Sequence, residues 1–209
     1  MYLGDLFHWP DGAGWIILSG GNSAASIVRA GVLMRSGPGP IAYICADGNS
    51  SSAQNSLEDM ASLGAPSGYL VNAAIDEPDA IRELLAEAGI IVLDPALSPH
   101  EMVEHLQGFL NQALITAYEN GAMILAEATS ASAFGSWLIE DGELLPALCW
   151  LDDALITTTG EAQTVDGASL ASLHLHIPAE SALALGPAGQ VELWGNQDVQ
   201  ITLGSEHSS

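Results

Sequence analysis

The chain has 209 residues, 26 of them acidic against three arginines (Arg29, Arg35 and Arg82) and no lysine, for a formal net charge of −23. Phosphate recognition depends on clustered Lys and Arg, so this balance excludes nucleic acid and anionic membrane surfaces as partners. An apolar content of 48% suffices for one core, yet no apolar run approaches the ~18 residues of a membrane span.

Taken in chain order, Gly14-WIILSGG reads as a strand ending in a glycine turn, with Ala25-SIVRAGVL as the helix after it. Pro40-IAYICADG is a second strand, followed by a helix over Ser51-SAQNSLEDMASLG that Gly64 terminates. Gly68-YLVNAA is a third strand. The helix of Asp76-EPDAIRELLAEAG carries a proline in its first turn, acids at its start and Gly89 at its stop. Ile90-IVLD is a fourth strand, and Ser98-PHEMVEHLQGFLNQALITAYENG supplies one helix opened by a Ser98/Glu101 capping box. MILAE, ending at Glu127, is the fifth strand, with a helix-compatible segment after it.

These apolar runs are short and continuous rather than alternating, the pattern of strands covered on both faces. The expected fold is therefore α/β: a three-layer, doubly wound, mostly parallel sheet of the flavodoxin-like kind. After about residue 150, Ala154-LITTTG, Ser172-LHLHI, Ala182-LALGPAGQVELWG and Asp198-VQITL predict short strands added as C-terminal hairpins. One domain over residues 1–204 and a disordered tail over 205–209 are expected. Cys45 and Cys149 both sit in apolar settings and read as buried free thiols. No basic segment followed by an apolar one opens the chain, which predicts a cytoplasmic protein.

In open parallel sheets, ligands bind beyond the carboxyl ends of the strands. That rule selects Gly20, Gly21, Asn22, Asp47, Asp94 and Glu127 through Ser130 as cleft residues. The glycine turn lacks the G-x-G-x-x-G spacing and any phosphate-loop lysine, so neither a nucleotide nor another cofactor is expected. Ser130 follows a strand and opens a helix-compatible segment, the layout of a nucleophile elbow; the Ala131 N–H would then be an oxyanion donor. From the local pattern alone, a helix cap is the favoured reading of this serine. His100 through His105 does not meet H-E-x-x-H and reads as a solvated helix start. His174 and His176 share one strand face and could act as a base or bind metal, but no further Cys or His lies nearby, so no metal site is expected.

With these motifs placed, the chain resembles the cyanophycinase and dipeptidase E family of serine peptidases, which have a class I glutamine amidotransferase-like fold. GWIILSGGNS is similar to the family's opening strand and Gly-Gly turn, and AEATSASA lies on its G-T-S-A-G-A. HIPAESALAL resembles its I-D-E-x-T-A-L segment, and VELWGNQDVQITL its closing hairpin. The resemblance implies that Ser130 occupies the nucleophile position and that the general base falls on Thr159. It implies that the oxyanion turn reads Asp94-Pro95-Ala96-Leu97 and that the acid falls on Ala179, beside Glu180.

Of serine, base, acid and oxyanion turn, only the serine is kept, and proline has no N–H to donate. The expectation is a catalytically degenerate homologue that binds a small molecule or peptide in the former cleft. Glu127 and Asp94 there would favour a cationic or hydrogen-bonding ligand. The alternative is an active serine hydrolase in which His174 or His176, with Glu180, serves Ser130. A homodimer is implied by family habit.

Overall fold

The computed structural model describes residues 6–21, 23, 26–45, 50–93, 95–158 and 171–204. The five apolar runs become β1 (Trp15–Ser19), β2 (Ile41–Cys45), β3 (Gly68–Asn72), β4 (Ile90–Leu93) and β5 (Met123–Glu127). All five are parallel, in the order β1-β5-β4-β2-β3. The helices between them are α1 (Ile27–Arg35), α2 (Ser50–Ser62), α3 (Pro78–Glu87), α4 (Pro99–Leu106) and α5 (Phe109–Glu119).

The capping box forms as expected: Ser98 Oγ accepts the Glu101 N–H, and the Glu101 carboxylate accepts the Ser98 N–H. The single helix expected after it is instead two, because the chain turns at Gly108 with φ of 76°. That left-handed conformation costs glycine nothing, so α5 can restart at a new angle.

Strand parity assigns the sheet's two faces. Ile17, Leu125 and Val92 pack with Val28 and Val32 of α1 on one side. Leu18, Ile124, Ala126 and Leu93 pack with α3, α4 and α5 on the other. This is the three-layer α/β arrangement the continuous apolar runs predict.

The C-terminal strands do more than decorate this sheet. β10 (Ser181–Leu185) and β11 (Val191–Gly195) form a hairpin that extends it antiparallel beyond β1, giving seven strands among the described residues. β6 (Trp137–Glu140), β7 (Glu143–Pro146), β8 (Ala154–Thr158), β9 (Leu173–Ile177) and β12 (Gln200–Leu203) make a second, five-stranded sheet ordered β12-β9-β8-β6-β7. Leu138, Ile156 and Leu175 of that sheet share the core of Ile124 and Leu93.

The β6–β7 hairpin carries its own local sequence signal. Asp141-Gly142 joins two apolar runs, and both residues have positive φ, 52° and 81°. Cys45 is buried as expected, whereas Cys149 is exposed. With φ of 55° at Cys149, the chain turns so that Trp150 and Leu151, not the thiol, enter the core. No helix among the described residues is long and apolar enough to cross a membrane.

Candidate functional site

β1 and β5 are neighbours, yet the chain leaves them toward opposite faces. After β1 it enters α1 on one side; after β5 it enters α6 (Thr129–Ser132) on the other. Such divergence opens a crevice at the carboxyl ends of a parallel sheet. The helix expected after β5 is only this one turn, because β6 begins almost at once.

The strained residue of the turn is Ala128, with φ of 51° and ψ of −122°. Its N–H donates to the Ser19 carbonyl at 2.8 Å, tying the turn to β1. The side chain is half-buried and faces Gly21, where an added Cβ would lie 3.6 Å from that of Ala128. A non-glycine residue at these angles stores on the order of 1–3 kcal/mol and persists only where the surroundings impose it.

Ser130 is placed differently. It is fully buried, and its Oγ accepts the Glu127 N–H at 2.8 Å while donating to the Glu127 carbonyl at 2.8 Å. The hydroxyl thus folds back on the end of β5 as a staple. The Ala131 N–H, expected to serve an oxyanion, donates to the Ala128 carbonyl at 2.9 Å, and Ala131 is buried. It closes the turn instead. Thr129 Oγ1 donates to the Pro95 carbonyl at 2.7 Å, fastening the same turn to the segment after β4.

Glu127 does not present a free carboxylate to the crevice. Its parity carries it to the α1 side, where Arg29 Nε donates to one oxygen at 2.9 Å and Arg29 Nη2 to the other at 2.8 Å. Both side chains are nearly inaccessible, at 7% and 3% exposure. Burial works against the Arg29 cation, but the bond to Glu127 and its charge, with Asp59 behind, outweigh it and raise the guanidinium pKa. Arg29 was missed from sequence. A lone cation inside the apolar segment SIVRAGVL, in a chain with only three, was the available signal.

Glu180 also has structural work. Its backbone N–H donates to the Gly21 carbonyl at 2.9 Å, and its carboxylate accepts the Ser23 N–H at 2.6 Å. It pins the turn after β1 beside Ala128 and makes no bond to Ser130. Gly20 lets the end of β9 approach, since a Cβ there would meet the Pro178 carbonyl at 2.1 Å.

The two histidines converge on Thr157 rather than on Ser130. His174 Nε2 lies 3.1 Å and His176 Nδ1 3.2 Å from Thr157 Oγ1, across β8 and β9. Burial, and then the neighbouring His176, push the His174 pKa below the ordinary imidazole value. Among the described residues, no three His, Cys, Asp or Glu gather as a metal site. Asn22, Asp47, Asp94 and Thr159 lie outside the described residues. The structure therefore brings Gly20, Gly21, Ala128 and Glu180 together where β1 and β5 end, with Glu127 and Ser130 buried beside them.

No protein-family profile matches the sequence, and no curated protein matches it. Among solved structures, the chain is similar to a peptidase from an acI-B1 actinobacterium, with a TM-score of 0.73 at 13% identity, over 94% of this chain and 97% of that one. At such low identity the likeness speaks for architecture alone: this chain has a peptidase-like α/β fold.

Proposed function

We propose that this protein is a non-hydrolytic relative of the cyanophycinase and dipeptidase E peptidases that binds a small molecule or peptide at the crevice between β1 and β5. The reading rests on one observation: the strained residue of the strand-to-helix turn is an alanine, Ala128. In a nucleophile elbow the reactive hydroxyl stands on that strained turn, pushed out of the sheet.

Matching side chains alone puts Ser130 on the family's serine. Matching backbone conformation slides the frame by two residues, so that A-E-A-T-S-A from Ala126 to Ala131 lies on G-T-S-A-G-A. The conformational frame is preferred, because strain belongs to a position in the turn, whereas Thr, Ser and Ala recur by chance in a small-residue stretch. In that frame Ala128 replaces the nucleophile and Ser130 the second glycine. A methyl group cannot attack a carbonyl, whatever base stands nearby.

The ligand class follows from what the crevice leaves available. Glu127 is neutralised by Arg29 and the Glu180 carboxylate is engaged by Ser23, so the cation preference expected from sequence loses its main support. A neutral, hydrogen-bonding ligand such as a peptide segment fits better. The test is exposure of the purified protein to a fluorophosphonate probe, followed by peptide mapping. No labelling at Ser130 is expected, and stoichiometric labelling there would overturn the proposal.

A further inference from the structure

The two faces of the second sheet meet different surroundings. Leu173, Leu175 and Ile177 of β9 enter the core, so strand alternation turns His174 and His176 to the outer face. Both histidines are half-buried. On the neighbouring strand β12, the exposed Gln200 stands opposite His176 and the exposed Thr202 opposite His174. The sequence offers these rings no third donor nearby, but the fold brings an oxygen from β8, where Thr157 lies in register with His176.

His174 Nε2 and His176 Nδ1 approach the same atom, Thr157 Oγ1, at 3.1 Å and 3.2 Å. A hydroxyl has one proton, so it can donate to only one of these nitrogens, and the other ring must turn an N–H toward it. That arrangement suits two neutral rings, and neutral imidazole is the form that binds metal. The Thr157 hydroxyl also has a second acceptor within reach, the Leu175 carbonyl at 3.4 Å. It can therefore give up its bond to a histidine without losing a partner for its proton.

The charge distribution favours a cation here. The chain has no lysine, and its three arginines stand on α1 and α3, so no side-chain cation with a fixed charge belongs to this sheet. A net charge of −23 raises the concentration of cations around the whole molecule.

We propose that His174 and His176 form a two-nitrogen site for a divalent transition metal of the copper and nickel class, with Thr157 Oγ1 and solvent supplying oxygen. Imidazole nitrogens bind such ions at about 2.0 Å, and two that already converge on one oxygen atom need only ring rotation to share an ion. The ring proton that faced Thr157 moves to the far nitrogen of the same ring, and the Thr157 proton turns to the Leu175 carbonyl. Two nitrogens completed by oxygen make the tetragonal donor set of Cu2+ and Ni2+, and Cu2+ heads the affinity order. Structural zinc sites draw on four protein ligands, and the described residues do not gather even three of His, Cys, Asp or Glu. The site needs nothing from the crevice between β1 and β5.

Titration of chelator-stripped protein with Cu2+ at neutral pH, read by calorimetry and electron paramagnetic resonance, tests this. One equivalent should bind, with hyperfine splitting from two equatorial nitrogens, and excess Mg2+ should not displace it. His174→Gln and His176→Gln should each weaken binding by roughly 10-fold or more, whereas His105→Gln on α4 should leave it unchanged. Should either variant misfold by circular dichroism, the nitrogen splitting of the wild-type spectrum decides by itself. Absence of saturable binding, a spectrum without two nitrogens, or an affinity unchanged in folded His174→Gln and His176→Gln would each overturn the proposal.

Discussion

The Ser130 hydroxyl holds both backbone groups of Glu127, accepting its N–H and donating to its carbonyl at 2.8 Å each. This converts the residue most suggestive of catalysis into a closure for the end of β5. Ser130→Ala should accordingly lower stability by about 1–3 kcal/mol, because a buried N–H and carbonyl lose their shared partner. Urea unfolding followed by tryptophan fluorescence would measure it. A neutral substitution would mean that the hydroxyl is dispensable to the turn.

Beneath the crevice, Arg29 and Glu127 form a two-pronged buried pair. Removing Glu127 leaves the buried Arg29 charge with only the more distant, part-exposed Asp59 carboxylate, 3.5 Å away, to offset it. Glu127→Ala is expected to cost about 3–5 kcal/mol, and the double variant with Arg29→Met less than the sum of the two singles. A double-mutant cycle by denaturant unfolding gives the coupling directly.

At the turn itself, Ala128 sits at φ of 51° and ψ of −122°, angles that suit glycine better than alanine. Ala128→Gly should relieve the strain and stabilise the fold by up to about 1 kcal/mol net of glycine's greater unfolded-state entropy. Thermal unfolding would register a rise in the midpoint, and a marked fall would show that the alanine methyl contributes packing beyond the strain it costs.

Acid should weaken the second sheet. Burial, with His176 beside it, depresses the His174 pKa in the folded state. The unfolded chain then binds more protons than the folded one between that depressed value and about 6.5. Stability therefore falls as pH drops below about 6.5 and levels off once the folded-state value is passed. His174→Gln should flatten this part of the stability profile measured from pH 7.5 to 5. An unchanged slope would assign the effect to other groups.

Gly20 is required by a close approach. Gly20→Ala would drive a methyl group to within 2.1 Å of the Pro178 carbonyl and 2.2 Å of the Ile177 carbonyl, both backbone atoms with little room to yield. A loss of about 2 kcal/mol or more is expected, read as a lower unfolding midpoint.

The amino-acid sequence by itself determined the sheet. Runs such as IAYIC and IIVL are apolar without alternation, and only a strand covered on both faces can bury every side chain they carry. It determined helix ends as well, since Ser98 and Glu101 need only each other to cap α4. Tertiary structure alone decided what the polar residues around the end of β5 do. Glu127 and Arg29 stand 98 positions apart, so no local spacing announces their pairing. Ser130 and Ala128 are two residues apart in a stretch of small side chains, and composition cannot say which one takes the strain. That choice is made where β5 ends against β1: the Ala128 N–H is held by the Ser19 carbonyl, and the chain must reverse at that residue to enter α6. Burial pattern is written locally, residue by residue. The partner of a charge or a hydroxyl is set by which strands lie side by side.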